Sequence, residues 1–309
     1  MDVYSIFGIN IISDFNFTSQ LKKGVGAPDL TFKVSEKSPI EWSDNIPIYP
    51  NKENTIFNIF NVEKWDVIRL IGSVDYYITN NQILCHIKSK KQYPLIEIQF
   101  LGIVLSYWLE KHGIIAIHAS AVNLDGNSVG FMSSNRGGKT LIAAALMHQG
   151  YPLISDDILA LEVNDRIYCR PSYPTMRMWP NEAVYFLGRY KDLPTVHPKL
   201  SKRRVFVGNG NFGYFFDQLT ELKSLYIPMM VETDEIKIQQ LSKADGVIEL
   251  VRHSFIAQII DSIGWQPARL EKLTKIIQKV SVKHLIYPRG YQHLPRLCEA
   301  ILDDADNHR

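Results

Sequence analysis

The residues whose types and spacing could do chemistry lie in three short stretches between positions 114 and 180. The middle one runs from Gly130 to Thr140 and reads G-F-M-S-S-N-R-G-G-K-T. Its last eight residues, Ser133, Ser134, Asn135, Arg136, Gly137, Gly138, Lys139 and Thr140, stand one substitution from the phosphate-binding pattern G-x-x-x-x-G-K-[ST]. In that pattern backbone N–H groups wrap the phosphates, the lysine reaches the β and γ oxygens, and the hydroxyl holds Mg²⁺. Ser133 replaces the first glycine, a position where glycine would allow a positive φ and a close backbone approach. Before the turn, Ser128 to Met132 is small and apolar, as a buried strand would be. After it, Leu141 to Met147 is helix-forming and Gly150 is a stop signal. Strand, glycine-rich turn and helix form the setting a phosphate needs, because the helix N-terminus adds partial positive charge. The plainer alternative is a Gly-Gly turn whose lysine caps a carboxylate.

The second stretch is Tyr151 to Leu161, an apolar strand interrupted by Asp156 and Asp157. Beside a nucleotide, one carboxylate can orient Mg²⁺ and the other can take a proton from an attacking hydroxyl. Successive strand side chains point to opposite faces, so both serve one site only if the strand ends there. The third is Ile114 to Val122, a hydrophobic strand holding His118, one hairpin (turn Asp125-Gly126) ahead of the loop. Alone, such a histidine is a core residue; next to a phosphate site it is a candidate participant. Arg166, Arg170 and Arg177 follow the aspartates. Arg177 is the one expected at the phosphates, where a guanidinium offsets charge on the transferred group. The basic run His197 to Arg204, followed by G-N-G-N-F-G (208–213), fits either a solvated face or a mobile flap over the site.

The rest of the chain must position these groups. With 309 residues, 46% of them hydrophobic and 21% charged, it is long enough for one large or two ordinary globular domains. A net charge of +2 gives no field for nucleic acid. No apolar run approaches the ~18 residues of a membrane span, and no basic-then-apolar leader opens the chain. Cys85, Cys169 and Cys298 are too few and too scattered for a zinc site or disulfide framework, so a reducing cytoplasm is expected. Residues 1–95 look strand-rich: Val3–Ser13, Leu30–Val34, Val67–Leu70, Tyr76–Thr79 and Ile83–Ile87, with an Asn80-Asn81 turn and loops at Lys22–Pro28 and Glu36–Asn54. They predict a small antiparallel domain in which Trp65 and His86 are packing or surface residues rather than ligands. From Ile96 to Lys111 a helix apolar nearly all round is expected between this domain and a second, 96–309. Helices are predicted at 243–260, 269–280 and 294–304, with the acidic tail Asp303-Asp304-Ala305-Asp306 frayed.

Taken together, I-H-A-S-A-V (117–122), G-G-K-T-L (137–141), A-A-A-L (143–146) and L-I-S-D-D-I (153–158) resemble the core of the HPr kinase/phosphorylase superfamily. They are most similar to its bacterial relatives encoded beside lasso-peptide genes, which phosphorylate the C-terminal serine of a precursor peptide. F-G-I-N-I-I-S-D (7–14), Y-P-T-M-R-M-W-P (173–180), E-L-V-R-H-S-F (249–255) and Y-P-R-G-Y-Q-H-L-P (287–295) extend the likeness. The resemblance implies an α/β (α+β) fold: a mixed-sheet P-loop kinase core related to phosphoenolpyruvate carboxykinase, with a smaller strand-rich N-terminal domain. It implies ATP and Mg²⁺ as cofactors and a precursor peptide as partner, and it admits a homo-oligomer; the residues themselves leave open a kinase for a small-metabolite hydroxyl or a non-catalytic nucleotide-binding module. It further implies nucleotide contacts from Ser133 through Leu141, with Lys139 on the β and γ phosphates. Thr140 and Asp157 would be at the metal and Asp156 would be the base, with His118 and Arg177 beside them. The chain carries no copy of the glycine-rich signature and second basic motif of the bifunctional enzymes, which sets phosphorylase chemistry and HPr itself outside the expectation.

Overall fold

The structure is a computed structural model, described here for residues 1–42, 57–70, 74–133 and 137–306. Of the expected loop Glu36–Asn54, the part from 43 on lies outside these residues, as do Ser134, Asn135 and Arg136. The first half of the chain builds a sheet of eight strands, β1 (Asp2–Ile6), β2 (Ile9–Ser13), β3 (Lys22–Lys23), β4 (Leu30–Ser35), β5 (Phe57–Val62), β6 (Trp65–Leu70), β7 (Asp75–Ile78) and β8 (Gln82–His86), in the order β3-β1-β2-β4-β8-β7-β6-β5. Alternation sets which face is buried: Ile9, Ile11 and Ser13 of β2 point inward while Asn10 and Ile12 are partly exposed. The single strand expected over Val3–Ser13 is a hairpin, turned by Phe7 and Gly8 at φ of 54° and 69°. The sheet is also mixed rather than antiparallel. β4 lies parallel to both β2 and β8, because the excursions through β3 and through β5–β7 return the chain in the same direction. Trp65 begins β6 and is buried in a side cluster with Phe60 and Tyr77.

The long helix expected from 96 to 111 is three pieces: α1 (Tyr93–Gln99), a wide π-type turn over Phe100–Val104, and α2 (Leu105–Lys111). Gly102 breaks the regular geometry at φ −101°, ψ −110°. A π-turn at such a break is a recurrent feature of functional walls, and Gly102 does border a cleft described below. Its flanking residues Ile96, Phe100, Leu101, Val104 and Leu105 share one apolar cluster with the inner face of the first sheet and with Ile158, Tyr173, Ile256 and Ile259 from later in the chain. Glu97, buried in α1, accepts backbone and hydroxyl hydrogen bonds from Thr18 and Ser19 and pairs with Arg204 at 3.3 Å.

The second half holds a nine-stranded mixed sheet. Its strands are β9 (Ile115–Ile117), β10 (Ala119–Leu124), β11 (Asn127–Met132), β12 (Leu153–Ser155), β13 (Leu159–Val163), β14 (Ile167–Arg170), β17 (Thr220–Val231), β18 (Lys237–Gln240) and β19 (Ser281–Pro288). A separate ribbon pairs β15 (Thr175–Met178) with β16 (Arg203–Phe206), placing Arg177 opposite Arg204. β11, β17 and β19 run parallel, so their carboxyl ends share one edge of the sheet. Helix α3 (Lys139–His148) follows β11, and α4 (Pro180–Leu187) follows the ribbon's first strand. The C-terminal region holds α5 (Lys243–Arg252), α6 (Ala257–Ser262), α7 (Gln266–Lys279) and α8 (Leu294–Asp306). The expected helix 243–260 is thus broken, at His253–Ile256, where Ser254 bridges to Ile117 and the His253 carbonyl accepts from the His118 amide. Nor does the acidic tail fray. The Asp304 carboxylate takes hydrogen bonds from Tyr226 and from buried Lys283, both 2.6 Å long, and helix α8 continues through Asp306. Among the described residues no helix is long and apolar enough to cross a membrane, and the three cysteines are free and buried.

Candidate active site

β11 delivers the chain into the glycine-rich loop, and Gly138 launches α3 from a left-handed conformation at φ 92°. A Cβ there would lie 2.5 Å from the Tyr287 hydroxyl, so glycine is required both by φ and by space. Ser133 is buried and has an ordinary negative φ, so the first position of the pattern does not demand glycine here. Lys139 and Thr140, the first residues of the helix, are buried, while Leu141 is half-buried against the second apolar cluster.

The aspartates sit where the strand stops. β12 ends at Ser155, β13 begins at Leu159, and Asp157 between them takes a left-handed φ of 77°. The break puts the two carboxyl groups on one side of the sheet edge with different neighbours. Asp156 Oδ1 accepts from the hydroxyls of Ser120 (2.6 Å) and Thr140 (3.0 Å), and its Oδ2 accepts from the Arg177 amide at 2.9 Å. Asp157 is clamped by Arg177 Nη1, whose Nη2 donates to the Tyr173 hydroxyl at 3.1 Å. Burial alone would raise the Asp157 pKa, but Arg177, His118, Lys139 and Lys202 together outweigh it and hold the carboxyl at about 2. The same pairing raises the Arg177 pKa against the effect of its own burial.

His118 links loop and aspartates. Its Nδ1 lies 3.0 Å from the Asp157 carbonyl oxygen, and its Nε2 lies 2.9 Å from Lys139 Nζ. A carbonyl only accepts and an ammonium only donates, so the ring is neutral with its proton on Nδ1. Burial lowers the His118 pKa and the adjacent ammonium adds to this, against the opposing pull of Asp157. Lys139 is likewise lowered by burial, with Asp157 and Asp156 resisting the shift. Phe255 packs edge-on against the imidazole, ring centres 5.5 Å apart.

His118, Asp157, Arg177, Trp179, Lys202, His253 and Phe255 border a cleft of about 750 Å³. It shares Ile98, Arg177, Arg252, Ser254 and Phe255 with a larger groove of about 970 Å³ along α1 and α6, whose walls include no carboxylate among the described residues. The structure therefore brings Lys139, Thr140, Asp156, Asp157, His118 and Arg177 into one cluster. Arg166 and Arg170 do not join it: Arg166 pairs with Glu221, and Arg170 with Glu162 and the Phe7 carbonyl. The basic run divides too, with Arg204 buried against Glu97 and Lys202 on the cleft wall. Ser120 and Tyr173, which lie in the I-H-A-S-A-V and Y-P-T-M-R-M-W-P runs without an expected role, join the cluster through Asp156 and Arg177. Ser120 lies two residues beyond His118, an alternation that points to it; Tyr173 lies four residues before Arg177, which it meets through the guanidinium.

No family model matches the chain, and no curated protein matches it. Among solved structures it is similar to the HPr(Ser) kinase/phosphatase from Coxiella burnetii, at 15% identity and a TM-score of 0.30, covering 63% of this chain and 95% of that one. A likeness of that grade assigns no role to any residue.

Proposed function

We propose that the chain is an ATP- and Mg²⁺-dependent phosphotransferase. It moves the γ-phosphoryl group to a hydroxyl, with the serine of a small ribosomal peptide, of the lasso-precursor kind implied by the resemblance, as acceptor. One observation carries this: a lysine and a threonine opening a helix behind a glycine turn meet two carboxylates, a histidine and an arginine at one sheet edge.

The loop backbone and Lys139 hold the β and γ phosphates at the N-terminus of α3. Thr140 and Asp156 offer hard oxygen donors side by side, which suits Mg²⁺ held by one or two protein groups and the phosphates. Thr140 and Asp156 would hold the ion, which when bound would supply positive charge against that of the phosphates. This exchanges the roles the resemblance implies for the two aspartates. Asp156 is occupied by Ser120, Thr140 and the Arg177 amide, whereas Asp157 borders the cleft by which an acceptor arrives. Asp157 orients the acceptor O–H and takes its proton as the new O–P bond forms and the bond from γ-phosphorus to the bridging oxygen breaks, releasing ADP. A carboxyl held near 2 is a weak base, but a loose phosphoryl transition state asks mainly for alignment. Arg177 neutralises charge on the group in flight. The groove of about 970 Å³ that shares residues with this cleft offers room for an acceptor larger than a small metabolite.

The test is incubation with γ-labelled ATP, Mg²⁺ and the peptides encoded beside the gene. Label is expected on a peptide serine; label on small molecules alone would end the peptide assignment.

A further inference from the structure

Tyr287 sits at the carboxyl end of β19, two strands across the parallel array from the strand that feeds the loop. In open sheets with parallel strands, ligands gather outside those carboxyl ends. The ring is packed in the second apolar cluster and is 2% exposed. Its hydroxyl has a different situation. It is buried, it has no hydrogen-bond partner among the described residues, and it is aimed at Gly138, within 2.5 Å of where a Cβ would be. The Ser133 hydroxyl, at the other end of the loop, is also buried and also without a partner among the described residues. Buried hydroxyls are nearly always paired, because an unpaired one forfeits its hydration. The Tyr287 hydroxyl faces the first turn of α3, where the phosphates are assigned above, and the Ser133 hydroxyl lies at the end of β11 that leads to it.

We propose that Tyr287 is a phosphate-binding residue of the donor site, its hydroxyl donating to an oxygen of the polyphosphate at Gly138 and the N-terminus of α3, with Ser133 as a second donor. This rests on the loop's being a phosphate site and adds to it a residue from the far end of the chain. Burial, reinforced by the Glu182 carboxylate, pushes the Tyr287 phenol up to about 12, so it keeps its proton at neutral pH. A neutral donor facing a phosphate oxygen in a dry site makes a charge-assisted bond, stronger than one in water.

The test is calorimetric titration of Mg-ADP and of Mg-pyrophosphate into the wild type, Tyr287→Phe, Ser133→Ala and Lys139→Met. Thermal unfolding of each protein is measured alone. Tyr287→Phe removes only an unpaired hydroxyl, so its melting temperature should equal or exceed that of the wild type. Its affinity for both ligands should nonetheless fall roughly ten- to a hundredfold. Unchanged affinity overturns the proposal. A lowered melting temperature with affinity intact makes the hydroxyl structural and overturns it as well, and a loss confined to ADP moves the contact off the phosphates. If wild type binds and Lys139→Met does not, while Tyr287→Phe matches wild type, only the assignment of Tyr287 fails. If the wild type binds neither ligand, the phosphate-site assignment fails and the proposal fails with it.

Discussion

The ammonium of Lys139 lies 2.9 Å from the Nε2 of His118, so the group assigned to the phosphate oxygens rests on a neutral imidazole. An imidazolium could not accept that bond. The His118 pKa is already lowered by burial, so the folded protein resists a proton that the unfolded chain takes near pH 6.5. The contribution to stability is therefore complete above about pH 6.5 and is lost as pH falls from there toward the folded value. Denaturant midpoints between pH 7.5 and 5 should drop more steeply for wild type than for His118→Gln. Parallel slopes would show that His118 does not titrate as its surroundings dictate.

The two aspartates should separate under mutation. Asp157→Asn is expected to retain Mg-ADP binding while transfer falls by about 10²–10⁴, the usual weight of a positioned acid–base group. Asp156→Asn places an amide against Ser120, Thr140 and the Arg177 N–H, and should weaken the part of nucleotide affinity that depends on Mg²⁺. Calorimetry with and without Mg²⁺, beside single-turnover rates, distinguishes them. Identical behaviour of the two variants would remove the division of roles.

Gly138→Ala and Gly126→Ala form a matched pair. Both positions have φ above 90°, but Gly126 opens onto empty space and Gly138 faces Tyr287. Backbone strain should cost each about 1–2 kcal/mol, and Gly138→Ala should cost more because the hydroxyl must move. Equal losses in chemical denaturation would mean that the Tyr287 contact yields freely.

Glu110 and Arg269 form a buried pair at 3.2 Å, each side chain 3% exposed, with Glu110 also accepting from the Ala116 amide. Glu110→Ala strands the guanidinium and should cost roughly 3–5 kcal/mol, whereas Glu110→Ala with Arg269→Met should recover much of it. A double variant no better than the single would place the loss in packing instead.

Much of the site was legible because the pattern of its groups is local. Gly138-Lys139-Thr140, the aspartate pair and His118 each sit in a short run whose neighbours declare a strand, a turn or a helix. Asp156 and Asp157 serve one edge because β12 stops at Ser155, which their polarity inside an apolar run already hinted. Pieces set by distant pairing were not legible. The tail at Asp304 looked bound for solvent until Tyr226 and Lys283 met it across the sheet. Likewise the turn at Gly102 divides a segment whose composition reads as one helix, and the mixed direction of the first sheet follows from excursions that no local signal records. Tyr287 belongs to the same class, a strand residue whose relevance depends wholly on what faces it.

Arg204 answers to Glu97 on one side and stands opposite Arg177 in the β15–β16 ribbon on the other. Thr18 and Ser19 steady that same glutamate, so the loop after the first hairpin is linked through Glu97 and Arg204 to the strand that carries Arg177. The amino-terminal sheet and the Asp157–Arg177 pair are thus tied by side chains as well as by the apolar cluster they share.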